Sequence, residues 1–131
     1  MKKTPINPWS WSAKLGYHQG ETLEGARRQL TVAGQTSVDE HGAPQHPGDM
    51  RNQITLALDN LQAVLREAGM DLSHVTRLGI YATDVDAALA NFDLLGERFG
   101  AAGASPPMTL LGVTRLAIPD LMFEIEATAA A

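Results

Sequence analysis

The sequence contains no cysteine, so there is no disulfide framework, no cysteine-ligated zinc and no thiolate nucleophile. Aromatic residues are scarce, at 5% of the chain. Basic residues are outnumbered, 10 against 15 acidic ones, for a formal net charge of -5. That balance argues against a general nucleic-acid binder, which carries a basic footprint. No apolar run approaches the ~20 residues of a membrane helix. Lys2 and Lys3 are followed by Pro5, Asn7 and Pro8 rather than an apolar stretch, so no secretory signal is expected. A cytoplasmic protein with no membrane association fits these absences.

What is present is an ordinary globular mixture, 44% apolar and 19% charged over 131 residues. Two half-length domains would have marginal cores, so one domain over residues 1–131 is expected. Residues 1–12 hold two prolines and the two tryptophans, Trp9 and Trp11, and read as an extended N-terminal arm. Strands are expected from Leu15 to His18 and from Gln29 to Ala33, joined as an antiparallel hairpin. Gly34 then permits a bulge or a close backbone approach. Ser37 to Gly48 reads as loop, and its His41 and His46 as exposed histidines without the spacing of a metal site.

Asp49 to Ala68 carries the clearest helical stripe, through Ile54, Leu58, Leu61 and Leu65. Asp49 suits the N-cap and Gly69 the left-handed stop. A strand over Thr76 to Ala82 follows, then a helix over Val85 to Phe99 with Val85, Leu89, Phe92, Leu95 and Phe99 as its buried stripe. Met108 to Leu116 and Leu121 to Ala127 complete the set as strands. The order implies an α+β domain, one sheet with two helices on the same face. In the last strand Phe123, Ile125 and Ala127 must face the helices, which places Glu124 and Glu126 on the open face. Met108 to Leu116 is apolar on both sides, the pattern of a strand buried on both sides. Self-association through the open face is therefore expected, with a ligand pocket between subunits.

An ordered set of short motifs carries a family resemblance. It comprises Gly16-Tyr17, Leu30-Thr31-Val32-Ala33-Gly34-Gln35, Gln53, Ala57 to Leu61 and Ala68-Gly69. It continues through Tyr81-Ala82-Thr83-Asp84, Asn91, Pro106-Pro107-Met108-Thr109, Gly112-Val113 and Glu124-Ile125-Glu126-Ala127. Over nearly its whole length the chain resembles the RidA family, also called the YjgF or reactive intermediate deaminase family. The resemblance implies a chorismate-mutase-like α+β fold and a homotrimer with small-molecule pockets at the subunit interfaces. It implies hydrolysis of reactive imines and enamines, with no cofactor and no metal. Carried over by position, Glu124 is the catalytic carboxylate that holds water. Tyr17, Gly34, Asn91, Met108 and Thr109 fall at substrate-binding positions.

The sequence departs from the family at one point. The pattern Pro-x-Arg-Thr reads Pro106-Pro107-Met108-Thr109, so Met108 stands where an arginine would grip a substrate carboxylate. Losing such a contact costs ~2–5 kcal/mol. Arg115 lies too far along the chain to replace it, while Arg27 and Arg28 could approach from the second strand. The pocket is expected to prefer a neutral or cationic ligand, with Glu124 as its main charge.

Each residue also has a plainer reading. Glu124 could be an interface ion-pair partner, and Tyr17 and Met108 interface packing. Asn91 could bond to nearby backbone. His18 could be an acid or base or a half-exposed strand residue. Trp9 and Trp11 could staple the arm or cover the pocket. Three functions follow: a diverged deaminase-like hydrolase, a non-catalytic trimeric binding protein and, least supported, a ribonuclease.

Overall fold

A computed structural model describes residues 1–131. Its centre is a four-stranded sheet in the order β3-β6-β4-β5, formed by β3 (Gln29–Gln35), β4 (Val75–Ala82), β5 (Met108–Gly112) and β6 (Phe123–Ala130). β6 lies antiparallel between β3 and β4, while β4 and β5 are parallel. The fold is mixed α+β, as the order of sequence patterns implies.

The long helix α1 (Met50–Glu67) buries Ile54, Ala57, Leu58, Leu61 and Leu65. Asp49 caps it, accepting from the Asn52 amide at 3.1 Å, and Gly69 follows it at φ +71°. Phe123 and Ile125 of β6 and Leu78 and Ile80 of β4 are fully buried in the same core. A buried leucine or isoleucine contributes ~1.5–3 kcal/mol. Glu124 and Glu126 alternate with these positions and occupy the open face.

Several local expectations are corrected. The segment from Leu15 to His18 is not a strand: Ala13–Leu15 form a 3-10 turn, and Gly16 at φ +91° breaks extended geometry. The arm is instead a strand. β1 (Lys2–Ile6) pairs antiparallel with β2 (Gly20–Glu24) as a separate two-stranded ribbon. Pro5 is tolerated there because this ribbon has free edges. Nor do β2 and β3 form a hairpin, because the Arg27 and Arg28 amides donate to the C-terminal Ala131 carbonyl. β3 pairs with β6 from its first residue.

The single helix expected over Val85 to Phe99 is two helices, α2 (Val85–Leu89) and α3 (Asp93–Ala101). At the break the Asn91 and Phe92 amides reach only three residues back, and Asn91 Nδ2 donates to the Ala87 carbonyl at 2.8 Å. That side chain competes for a carbonyl of the helical ladder. Leu89 leaves the expected stripe and is 52% exposed. Finally, β5 ends at Gly112 rather than Leu116, and the next segment closes on itself, with Arg115 donating to the Leu116 and Ala117 carbonyls.

Candidate functional site

The expected site residues divide between the two faces of the sheet. On the open face the register slips between Val32 and Gln35, so that Ala33 and Gly34 bulge beside β6. A Cβ built on Gly34 would stand 2.7 Å from Glu124 Cδ. The half-buried Glu124 carboxylate therefore lies directly on the Gly34 backbone. Glu126 lies in the same manner on Gly79 of β4, where a Cβ would be 2.8 Å from Oε1. The Tyr81 hydroxyl donates to that Oε1. Thr109 pairs with Gly79 on the neighbouring strand and is exposed on this face.

The charges in this cluster are not independent. Burial pushes the Glu124 carboxyl above the ordinary glutamate range, and the negative charge of Glu126 pushes it further. Tyr81 is also raised, first because its hydroxyl proton is held by Glu126, then by burial. Glu124 thus combines partial accessibility with a proton affinity raised above that of an ordinary glutamate, the direction of shift that suits a general base.

Tyr17 and Met108 occupy the opposite face. Met108 pairs with Leu78 and shares its helix-facing side. There Leu15, Tyr17, Leu89, Phe92, Met108 and Leu110 wall a cavity of about 390 Å³. No charged side chain lines it. The Trp11 ring meets Tyr17 edge-on, with centroids 6.2 Å apart and an interplanar angle of 81°. Asn91 joins neither group. Besides holding the Ala87 carbonyl, it accepts from Arg51 at 3.3 Å, and Arg51 is paired with Asp93 at 2.8 Å.

One chain therefore brings Gly34 to Glu124 and Tyr17 to Met108, but does not bring these pairs together. Adjacent residues Met108 and Thr109 point to opposite faces, as strand alternation requires. The other candidates lie elsewhere. His18 Nδ1 is 3.0 Å from Asn7 Nδ2 and faces a separate cavity with Lys3, Glu21 and Ser105. Trp9 is 62% exposed. Arg28 donates to the Ala68 carbonyl at the end of α1. No group of three histidine, aspartate or glutamate side chains comes together as a metal site. No helix is long and apolar enough to cross a membrane.

Several lining residues escaped sequence reasoning. Leu110 could have been found, because it shares the strand parity of Met108. Tyr81 beside Glu126 depends on the pairing of β4 with β6, and no local signal carries it.

The close contact under Glu124 has a measurable consequence. Gly34→Ala is expected to destabilise the fold by ~1–3 kcal/mol through overpacking. In Glu124→Ala the same change should cost much less, because the opposing carboxylate is gone. Denaturant unfolding of the two single variants and the double variant measures that coupling, and strict additivity would disprove the contact.

The comparisons with known proteins converge. The family model described as endoribonuclease L-PSP matches residues 11–131. The RutC family protein YjgH of Escherichia coli is 33% identical over 129 residues, covering 98% of this chain and 95% of the relative. The crystal structure of YyfB, a Rid-family protein of unknown function from Yersinia pestis, is 32% identical with a TM-score of 0.87 and covers 100% of both chains. E. coli TdcF, solved with bound serine, is 26% identical with a TM-score of 0.70, covering 88% of this chain and 87% of TdcF. From the ordered motifs, the α+β sheet and these matches, the chain belongs to the endoribonuclease L-PSP family, the family of the RutC and Rid proteins.

Proposed function

We propose that this protein hydrolyses small imines or enamines that lack a carboxylate, acting as a homotrimer with sites between subunits. The observation that carries the reading is the split of the site residues across the sheet. The Glu124 face of one copy and the Tyr17–Met108 wall of another are complementary halves, one acidic and one apolar. Packing the open face of one copy against a neighbour would supply the missing half.

The chemistry asks little of the protein. Glu124 accepts a proton from a water, and the water oxygen bonds to the C=N carbon. The nitrogen takes up a proton, and the carbinolamine collapses to a carbonyl compound and ammonia. In sum, one imine and one water give one carbonyl compound and one ammonia, and Glu124 ends in the protonation state in which it began. An enamine enters the same route after protonation at carbon. A cationic iminium beside Glu124 is favoured by charge, while a substrate carboxylate finds Met108 where an arginine would hold it. The serine bound by TdcF carries such a carboxylate, so the two proteins should differ in what they accept.

The non-catalytic binding reading has support from the same Met108. A ribonuclease reading has less, because Glu124 and Glu126 on the open face repel phosphates. The deciding assay measures ammonia release from freshly generated 2-iminopropionate and from uncharged imines, with oligomer size determined by sedimentation. Turnover of the uncharged imines by a trimer is expected. Absence of turnover on both classes would leave the binding reading, and a monomer would overturn the shared site.

The carboxylate pair also predicts a pH dependence. A general base must be ionised, so activity should fall on acidification through the raised Glu124 pKa, above the ordinary glutamate range. Glu126→Gln removes the smaller of the two raising influences. The acidic limb of kcat/KM should then move to lower pH, and a move to higher pH would contradict the pairing.

A further inference from the structure

We propose that the apolar cavity beside Met108 is a two-part subsite for an uncharged hydrocarbon substituent. Its chamber would take an aromatic or branched group, and an adjoining groove along α3 would take a longer extension. The proposal rests on the site reading above and names the class of group that the site would recognise.

The chamber has the dimensions of a ligand site. Its volume of about 390 Å³ falls within the range of small-molecule pockets. A dry apolar cavity of ~150 Å³ already suffices for benzene. The Tyr17 ring forms one wall and is braced edge-on by Trp11. Phe92 adds a second aromatic wall, so an incoming ring can meet aromatic edges or faces.

The adjoining groove has an origin in the sequence of α3, whose Gly96 and Gly100 are exposed on its surface. A neighbouring cavity of about 130 Å³ shares Leu15, Phe92 and Met108 with the chamber and continues along Gly96 and Gly100. These glycines are one turn apart on the same helix face. Each lowers helix stability by ~1 kcal/mol relative to alanine. Neither is required by backbone geometry, because neither has positive φ. Neither is required by crowding, because a Cβ at either position would meet nothing within 4 Å. Side chains at these two exposed positions would narrow the groove, and glycine leaves it open.

Charge excludes anionic ligands. A carboxylate in the chamber would lose water and find no cation among the lining residues. Arg51 is engaged with Asp93, Arg98 with Asp59 and Gln62, and Arg115 with backbone carbonyls.

The test is isothermal titration of the intact protein with benzamide, benzoate and 3-phenylpropanamide. Benzamide should bind at least ~30-fold more tightly than the isosteric benzoate. Met108→Arg should reverse that preference. Gly96→Leu narrows the groove and should weaken 3-phenylpropanamide ~10-fold or more while benzamide binding is retained. Thermal melting of Gly96→Leu checks its fold, which should be as stable as the parent or more so. Equal binding of benzamide and benzoate, or no saturable binding of either, would overturn the subsite. So would a folded Gly96→Leu variant that binds 3-phenylpropanamide unchanged. Titration reads binding without turnover. Benzamide binding with no imine hydrolysis therefore defeats the hydrolase reading alone, and hydrolysis without benzamide binding defeats the subsite alone.

Discussion

Glu124→Gln is expected to remove imine hydrolysis by ~10²–10⁴-fold, the usual contribution of a positioned general base, and to raise the melting temperature at neutral pH. The second half follows from the electrostatics. Burial and Glu126 hold the folded-state pKa of Glu124 above its unfolded value. Between those two values the folded protein binds more protons than the unfolded chain, so stability falls as pH rises through that window. Above the window the ionised carboxylate is a standing cost to the fold. Glutamine keeps the shape and removes the charge, so that cost disappears. The stability gain should shrink on acidification, because protonated glutamate and glutamine are then nearly equivalent. Calorimetric melting of both proteins at neutral and acidic pH measures this directly. A lower melting temperature for Glu124→Gln at neutral pH would instead identify Glu124 as an ion-pair partner across an interface. A fold destabilised by its own carboxylate is what a functional site predicts, because stability gives no reason to keep the charge.

The legible parts of the molecule were those set by periodic burial. α1 carried both its stripe and its caps, Asp49 and Gly69, in local sequence. The alternation through Phe123, Glu124, Ile125 and Glu126 fixed which side of β6 met the helices. Gly34 announced the bulge, although not that a carboxylate lay on it. Other features were set by distant partners. The arm became β1 because β2 offered it a ladder, while the neighbouring segment turned at Gly16. The helix break at Asn91 was hidden because Leu89, Phe92, Leu95 and Phe99 keep helical spacing across it. Strand parity already separates Met108 from Thr109. Placing Glu124 on the face opposite Met108 also required the parallel pairing of β4 with β5 and the antiparallel pairing of β4 with β6. The family resemblance collected these residues into one pocket; the geometry of one chain divides that pocket into halves.

Gln53→Leu is expected to destabilise the protein by ~2–6 kcal/mol, a large fraction of the ~5–15 kcal/mol typical of a folded domain. Gln53 belongs to the buried face of α1 and is fully inaccessible to solvent. Its Nε2 donates to the His46 carbonyl at 3.0 Å and to the Asp120 carbonyl at 2.9 Å. Its Oε1 accepts from the Met122 amide at 2.8 Å. One amide therefore ties the long helix to the loop before it and to the segment that leads into β6. Leucine has similar volume, so the substitution tests the hydrogen bonds rather than a cavity. It strands the Asp120 carbonyl and the Met122 N–H, while the His46 carbonyl keeps the Asp49 amide at 3.1 Å, and each buried orphan costs ~1–3 kcal/mol. Met122 stands two residues before Glu124, so loosening its amide should also blur the carboxylate's position over Gly34. Denaturant unfolding should show the stability loss. Native-state hydrogen exchange should show faster opening at the Met122 amide, beyond what the global loss explains. A loss below ~1 kcal/mol would mean that water replaces the amide at all three points, and that Gln53 is a replaceable packing residue.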